Sequence, residues 1–239
     1  MTGDARTAEL AASLAQVEDR VQGACEAAGR PRSEVTLIVV TKAFPAADAL
    51  RLAGLGVREM GENRDQEAAP KAAEVAAAGA DVRWHFVGQL QRNKARSVAQ
   101  YADVVHSVDR PRLITALAGA AADAGRRLDV LLQVDLGGAA ARLGAPRGGA
   151  SAEEVEELAD AVAESAALRL RGLMAVAPRD EDPAKAFDRL AGLAADLRRA
   201  HPGATWLSAG MSGDLEQAVA AGATHLRVGS AVLGSRPPL

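Results

Sequence analysis

Residues 36–61 read TLIVVTKAFPAADALRLAGLGVREMG, and this stretch contains the unit from which the rest of the chain is built. A short run rich in β-branched residues, Thr36 to Thr41, is followed by a helical pattern and then by a second short run, Arg58 to Gly61. Short apolar runs that alternate with helical segments are typical of βαβ units. The stretch therefore predicts two parallel strands joined by a helix.

The same alternation continues to the end of the chain and produces eight strand-like runs. They are TLIVVT (36–41), REMG (58–61), WHFV (84–87), VVHS (104–107), DVLLQVD (129–135), RLRGLMAV (169–176), TWLS (205–208) and HLRV (225–228). Eight alternating units in 239 residues predict an α/β fold, a (β/α)8 TIM barrel, with an open doubly wound sheet as the alternative. A further helix is predicted from about Thr7 to Ala28. Without a recognisable linker, residues 1–239 are expected to form a single domain.

Start and stop signals support the helices between the strands. Pro111 and Pro183 are predicted to occupy first-turn positions, where proline is favoured. Ser151 and Glu154 have the spacing of a capping box. Ser212 is predicted to cap the helix that follows the seventh strand.

Composition limits the classes of partner. The chain carries 28 Lys+Arg against 31 Asp+Glu, and it is 49% hydrophobic, as an ordinary globular protein is. This slightly acidic balance disfavours nucleic acid as the main partner. The single Cys25 cannot form an internal disulfide, and no signal peptide or membrane span is recognisable, so we expect a cytoplasmic protein without a membrane partner.

Several chemistries lack their sequence signatures. The chain has no GxGxxG after a strand, no GxxxxGK[ST], no HExxH and no GxSxG. Its four histidines are scattered and it has one cysteine, so no metal site is expected. Three of the histidines fall in or beside strands, where hydrogen-bonded structural roles are expected: His85, His106 and His225.

Two features at strand ends suggest a cofactor. Lys42 directly follows the first strand, where desolvation can lower the pKa of an amine and let it attack an aldehyde; a solvated lysine is the alternative. SAGMSGD (208–214) and RVGSA (227–231) offer glycines and the Ser212 and Ser230 hydroxyls to a phosphate, although they could also be simple turns. Arg227 must face the lumen, where it could meet a ring nitrogen or a carboxylate. Together these features describe pyridoxal 5′-phosphate (PLP) held as an internal aldimine.

At this point the sequence resembles a known family. The motifs that carry the resemblance cover nearly the whole chain in order: VVTK (39–42), MGEN (60–63), WHFVGQLQRNK (84–94), HSVD (106–109), RGLMAV (171–176), LSAGMSGD (207–214) and RVGSAVLG (227–234). They resemble the pyridoxal phosphate homeostasis protein family, whose members are PLP-binding barrels of the alanine-racemase type.

The resemblance implies both the site and the function. Lys42 would carry PLP and Arg227 would face its pyridine nitrogen, while Asn63 and Met174 would form walls of the pocket. The residues implied around the phosphate are Ser208, Gly210, Met211, Ser212, Gly229 and Ser230. The family has no established catalytic turnover and is thought to buffer and deliver PLP, so PLP-dependent apo-enzymes are the implied recipients and the protein is expected to be a monomer or a weak dimer.

Two enzyme classes remain as alternatives. A PLP-dependent racemase needs a second acid/base opposite Lys42, and the only tyrosine, Tyr101, is predicted to lie late in a helix. A sugar-phosphate enzyme would use Lys42 as a Schiff-base former. The stretch from Gly137 to Ala150, rich in Gly, Ala and Arg, is interpreted as either a functional rim loop or a disordered insertion.

Overall fold

The computed structural model describes residues 2–137 and 148–235, with side chains from residue 5 onwards. Eight parallel strands pair in sequence order, and β8 pairs with β1, so the sheet closes into a barrel. This closure confirms the (β/α)8 barrel and excludes the open sheet. The strands are β1 (Thr36–Val40), β2 (Glu59–Glu62), β3 (Arg83–Phe86), β4 (Val104–Val108), β5 (Leu128–Gln133), β6 (Leu168–Met174), β7 (Trp206–Ser208) and β8 (His225–Val228).

Helices surround this barrel. Those in the described residues are α1 (Thr2–Ala27), α2 (Ala46–Gly54), α3 (Asp65–Ala77), α4 (Ala95–Tyr101), α5 (Pro111–Asp123), α6 (Val155–Ala163), α7 (Pro183–Ala200), α8 (Leu215–Ala220) and α9 (Ser230–Leu233). The extra N-terminal helix is confirmed: α1 packs on α8 and α9, and Leu10, Val17 and Val21 on its inner face are buried. In the part of the chain that the structure describes, no helix is both long and apolar enough to span a membrane.

Each predicted strand is present, and its ends lie within two residues of the prediction. Pro111 and Pro183 stand in the first turns of α5 and α7 as expected. The Ser151–Glu154 capping box also forms, with the Ser151 N–H donating to Glu154 Oε2 at 2.7 Å.

The predicted cap at Ser212 is wrong. Helix α8 begins at Leu215 and the residue before it is Asp214, whose Oδ1 accepts a hydrogen bond from the Met211 N–H at 2.6 Å. Ser212 Oγ instead accepts from the backbone N–H of Ala231 at 3.3 Å. Ser212 precedes the helix by three residues and does not cap it. Its hydroxyl binds a residue that is distant in sequence, which the local sequence could not reveal.

Alternate residues of each strand face the lumen or the helices. A Cβ atom added to Gly61 would lie 3.1 Å from Val40 Cγ2 and 3.2 Å from Ile38 Cγ2, so these three positions share the lumen side. The lumen also contains a small apolar cluster of its own, separate from the main core between the strands and the helices. Its members are Val104, Leu131 and Met174, with Trp206 against them.

One glycine is required by the sheet itself. Gly172 lies at an irregularity in the pairing of β5 with β6, and its φ is +151°. A Cβ atom there would lie 1.8 Å from the carbonyl oxygen of Trp206 on the neighbouring strand β7. This position therefore excludes every other residue type unless the two strands separate.

We expect Gly172→Ala to lower the free energy of unfolding by at least about 2 kcal/mol, because both the backbone conformation and the contact with β7 become strained. Urea denaturation measures the change. The matched control is Gly192→Ala on α7, where nothing lies within 4 Å of an added Cβ atom and alanine favours the helix. Equal losses in the two variants would contradict the assignment.

Candidate functional site

Lys42 lies at the carboxyl end of β1, two residues after Val40 and therefore in the register that faces the lumen. Its side chain is half-buried. The other three lysines of the sequence are accounted for elsewhere: Lys71 pairs with Glu62, Lys94 lies 3.6 Å from Asp65, and Lys185 is exposed on α7. Lys42 is therefore the lysine that the barrel presents at the mouth of its lumen.

A buried ion pair fixes the peptide in front of Lys42. Lys71 on α3 pairs with Glu62 Oε1, and its Nζ also donates to the carbonyl oxygen of Thr41 at 2.8 Å. The Thr41 hydroxyl donates to the same Glu62 oxygen at 2.6 Å. Burial raises the pKa of the Glu62 carboxyl, although the Lys71 charge opposes the shift. These contacts lie on the helix side of the barrel and hold the end of β1 while Lys42 faces the other way.

Replacing Lys71 with Met should lower the free energy of unfolding by about 3–5 kcal/mol, because the Glu62 carboxylate then stays buried without its partner. Chemical denaturation at pH 7 measures the loss. A double variant, Lys71→Met with Glu62→Leu, should recover most of it, since no buried charge remains. If the double variant is no more stable than the single one, packing of the lysine chain rather than charge accounts for the loss.

The loops after β7 and β8 meet at the same rim. Ser230 Oγ donates to Ser212 Oγ at 3.2 Å, so the two hydroxyls predicted to share a phosphate lie side by side. Gly229 allows close approach to β1, because an added Cβ atom would lie 3.1 Å from the Val40 carbonyl oxygen. Gly210 has φ +89°, and a Cβ atom there would lie 2.6 Å from that of Ala218. These glycines bring the two loops onto the barrel end next to Lys42.

Arg227 is buried in the lumen, as its position in β8 predicted. Its Nη1 donates to Ser208 Oγ at 2.6 Å and its Nη2 to the Ala175 carbonyl oxygen at 2.8 Å. Burial lowers the pKa of the guanidinium to about 10, with Asp214 opposing the shift, so the group is charged at neutral pH. Sequence reasoning allowed a carboxylate partner for this arginine, but the partners present are neutral oxygens.

The three remaining predicted residues, Met174, Asn63 and Met211, differ in exposure. Met174 is buried and is paired with Ser208 across β6 and β7. Asn63 follows β2 and is covered by the next loop, because an added Cβ atom at Gly88 would lie 2.1 Å from the Asn63 carbonyl oxygen. Met211 is 38% exposed, so it lies at the edge of the site.

Three lumen histidines belong to the surroundings of the site. His106 Nδ1 is 2.9 Å from Ser208 Oγ, and its ring lies 5.1 Å from that of His85 and 6.5 Å from that of His225. The prediction that they are hydrogen-bonded structural histidines is confirmed. The sequence analysis did not predict that His106 is connected to Arg227 through Ser208. The inward-facing positions of the histidines in three strands are the pattern that could have indicated it.

Burial lowers the pKa of all three imidazoles, and that of His225 to about 3. Below the ordinary value of 6.5 the unfolded chain therefore binds protons that the folded chain does not, so stability falls as the pH falls below 6.5. Each imidazole contributes up to about 1.4 kcal/mol per pH unit. Urea unfolding at pH 7, 6 and 5 measures the slope.

His225→Gln should reduce this slope by the contribution of one imidazole. A variant with an unchanged slope would show that His225 is protonated in the folded barrel, contrary to its surroundings.

The predicted rim loop lies mostly outside the described residues, since residues 138–147 are not described. The residue after this gap is held near the end of β5: Gln133 Nε2 donates to the Gly148 carbonyl oxygen at 3.0 Å, and Ala150 forms a bridge with Val134. Across residues 2–137 and 148–235, no group of three or more His, Cys, Asp or Glu side chains is arranged to hold a metal ion.

Comparison with known proteins identifies the family of this chain. The alanine racemase N-terminal domain family matches residues 12–237. The pyridoxal phosphate homeostasis protein of Mycobacterium tuberculosis (strain ATCC 25618 / H37Rv) is 46% identical over 245 residues, covering 97% of this chain and 94% of that protein. The protein of the same name from Escherichia coli (strain K12) is 37% identical over 232 residues, covering 95% and 97%. This chain belongs to the pyridoxal phosphate homeostasis protein family.

The same family is represented among solved structures. PipY from Synechococcus elongatus PCC7942, solved with PLP bound, is 35% identical with a TM-score of 0.78, covering 94% of this chain and 100% of that one. The family resemblance stated from the motifs is therefore confirmed. A second match shows the fold alone: alanine racemase from Corynebacterium glutamicum is 15% identical with a TM-score of 0.68, and the match covers 62% of that longer chain.

Proposed function

We propose that this protein binds PLP covalently through Lys42 and serves PLP homeostasis by storing and delivering the cofactor. The observation that carries the proposal is that Lys42, the Ser212–Ser230 pair and Arg227 belong to three neighbouring strands, β1, β7 and β8, and to the loops that follow them. The closed barrel thus makes neighbours of segments that the chain separates widely. Family members named for PLP homeostasis and the PLP-bound PipY support the same ligand.

The donor set fits a phosphate monoester. The Ser212 and Ser230 hydroxyls and the backbone N–H of Ala231 offer hydrogen-bond donors at the rim. Gly210 and Gly229 let the two loops pack closely on the chain at this rim, because atoms of Ala218 and Val40 lie close to where their Cβ atoms would be. The Asp214 carboxylate is also nearby. Its Oδ1 accepts a hydrogen bond from the Met211 N–H, and this bond directs that oxygen to the backbone instead of to the phosphate. We propose that Ser208, Gly210, Met211, Ser212, Gly229 and Ser230 surround the phosphate group.

Arg227 determines what the ring nitrogen of the ligand can do. A guanidinium donates hydrogen bonds and accepts none, so it favours an unprotonated pyridine nitrogen. An unprotonated nitrogen weakens the ring as an electron sink and disfavours carbanion chemistry on bound amino acids. Asn63 and Met174 are proposed to form the walls beside the ring. This arrangement suits a protein that holds PLP rather than one that turns over substrate.

Lys42 is the residue that would hold PLP covalently, through its amine and the aldehyde carbon of the cofactor. PLP would supply an aldehyde that exchanges reversibly between amines. Delivery then requires only that a second amine, on the recipient, displaces Lys42 from that carbon. PLP-dependent apo-enzymes are proposed as the recipients.

The match to the alanine racemase family makes a racemase the second candidate. Such an enzyme needs an acid/base on the ligand face opposite the lysine. The only tyrosine of the sequence, Tyr101, ends α4 in the outer layer, where burial raises the pKa of its hydroxyl. Tyr101 is therefore not placed to act in the lumen. We propose that the protein is not a racemase and has a non-catalytic role.

Three further properties complete the proposal. We propose that residues 1–239 act as one PLP-binding domain. We propose a cytoplasmic location, which a buried unpaired Cys25 suits. We also propose that the protein works as a monomer or weak dimer, because Lys42, Arg227 and both serines come from one chain.

We expect purified protein incubated with PLP to be yellow, and borohydride to fix the pyridoxyl group on the peptide that contains Lys42. Absorbance spectra and peptide mass spectrometry measure both effects. Lys42→Ala should lose the absorbance band while it keeps its fold, because half-buried lysines at strand ends add little to a core. Lys94→Ala, which removes the lysine that lies beside Asp65, should be labelled normally.

Colourless protein, or label on a residue other than Lys42, would overturn the proposal in favour of the sugar-phosphate alternative or a different lysine. Incubation of the PLP-loaded protein with L-alanine tests the carrier role. The optical rotation should stay constant, and sustained racemisation would establish an enzyme.

A further inference from the structure

Five side chains form a continuous hydrogen-bonded line across the barrel lumen. It begins at Glu59 on β2, whose Oε2 lies 2.5 Å from His85 Nε2, and His85 Nδ1 lies 2.8 Å from His106 Nε2. It continues from His106 Nδ1 to Ser208 Oγ at 2.9 Å and ends with Arg227 Nη1 at 2.6 Å from the same oxygen. The line therefore joins one edge of the lumen to the arginine at the site.

Its two ends fix the direction of every hydrogen bond. A guanidinium only donates, an ionised carboxylate only accepts, and a neutral imidazole does one of each. The Arg227 N–H therefore donates to Ser208 Oγ, and the Ser208 hydroxyl donates to His106 Nδ1. His106 Nε2–H donates to His85 Nδ1, and His85 Nε2–H donates to Glu59. Reversing the order would place an unprotonated His85 nitrogen against the Glu59 carboxylate.

The surrounding charges keep the groups in these states. Partial burial alone would raise the pKa of Glu59, but the His85 hydrogen bond and the charge of Arg83 lower it overall. Arg83 Nη1 lies 3.9 Å from Glu59 Oε1. Burial, together with nearby positive charge, disfavours a second proton on either imidazole and lowers both pKa values, and at His85 it outweighs the opposing effect of Glu59. Glu59 is thus ionised and both histidines are neutral at pH 7.

This direction matters because Arg227 lacks a charged partner. Within residues 2–137 and 148–235, no carboxylate oxygen lies within 4 Å of its guanidinium nitrogens. The side chain is held by two oxygens, those of Ser208 and Ala175. The Ala175 carbonyl can only accept, whereas the Ser208 hydroxyl can rotate and present its hydrogen to the cation. His106 prevents that rotation by accepting the hydrogen.

We propose that His106, supported by His85 and Glu59, is a positioning residue that keeps the Ser208 lone pair on Arg227 and so fixes the guanidinium in one orientation in the lumen. The proposal deepens the proposed function, on which its ligand-dependent part rests, because Arg227 is the residue proposed to face the pyridine nitrogen. Residues that never touch the ligand would then determine how firmly and in what electronic state the ring is held.

The chain contains a matched control in His225. Its ring lies 6.5 Å from those of both His85 and His106, and it is also buried. Its Nδ1, however, is bonded to Thr224 Oγ1 at 2.8 Å and is outside the line. His106→Leu and His225→Leu therefore remove the same group from the same lumen, and only the first interrupts the line. His106→Gln keeps one donor and one acceptor at the position.

The first measurement needs no ligand, and it begins with the unsubstituted protein. Nitrogen-15 NMR of the apo protein at pH 7 should show both His85 and His106 as neutral imidazoles protonated on Nε2. The Arg227 guanidinium resonances should then shift in His106→Leu, stay in place in His225→Leu, and return towards the wild-type position in His106→Gln. Circular dichroism confirms that each variant is folded. Should His106→Leu fail to fold, the wild-type tautomers and the His106→Gln spectrum decide the matter.

The second measurement adds PLP. His106→Leu should shift the absorbance of the bound chromophore and weaken PLP retention about tenfold, the order expected for one hydrogen bond to a charged group. His225→Leu should leave both unchanged. Nδ1 protonation or an imidazolium at His106, or equal effects of the two leucine variants, would overturn the proposal. If wild-type protein takes up no PLP, the proposed function fails while the tautomers still test the line of hydrogen bonds.

Discussion

The alternation of side chains along a closed parallel barrel is the constraint on which the site depends. Because successive residues of a strand face opposite sides, Lys42 follows Ile38 and Val40 into the lumen, while Thr41 faces the helices and is held by Lys71 and Glu62. A shift of one residue would exchange these roles. The Lys71–Glu62 ion pair on the helix side and the Lys42 amine on the lumen side thus both follow from the same strand register.

The same alternation explains why a polar line can exist in the interior. Inward positions on β2, β3, β4, β7 and β8 carry Glu59, His85, His106, Ser208 and Arg227, and each finds its partner on another strand. Buried polar groups are tolerated when every donor meets an acceptor. Apolar residues of the lumen cluster, such as Leu131 and Met174, fill the space beside them. The lumen is consequently packed and partly polar.

Much of this architecture could be predicted from residues close in sequence. The runs TLIVVT and HLRV, the prolines at positions 111 and 183 and the capping box at 151–154 act locally, so the strands lay within two residues of their predicted ends, whereas α1 begins at Thr2, five residues before its predicted start. Lys42 and the glycine-containing loops could be predicted because strand ends in a barrel share one face. The prediction that Ser212 caps a helix was wrong because its hydroxyl accepts a hydrogen bond from a donor distant in sequence, the N–H of Ala231.

By itself, the sequence determined the eight-unit barrel, the lysine at the end of the first strand and the family, since these follow from local pattern and from motifs in order. Only the tertiary structure decided which atoms meet. The neutral partners of Arg227, the link of Ser208 to His106 and the pairing of Ser212 with Ser230 join strands up to about a hundred residues apart. Hydrogen bonds depend on distances and angles between atoms, and a linear pattern specifies neither across such separations.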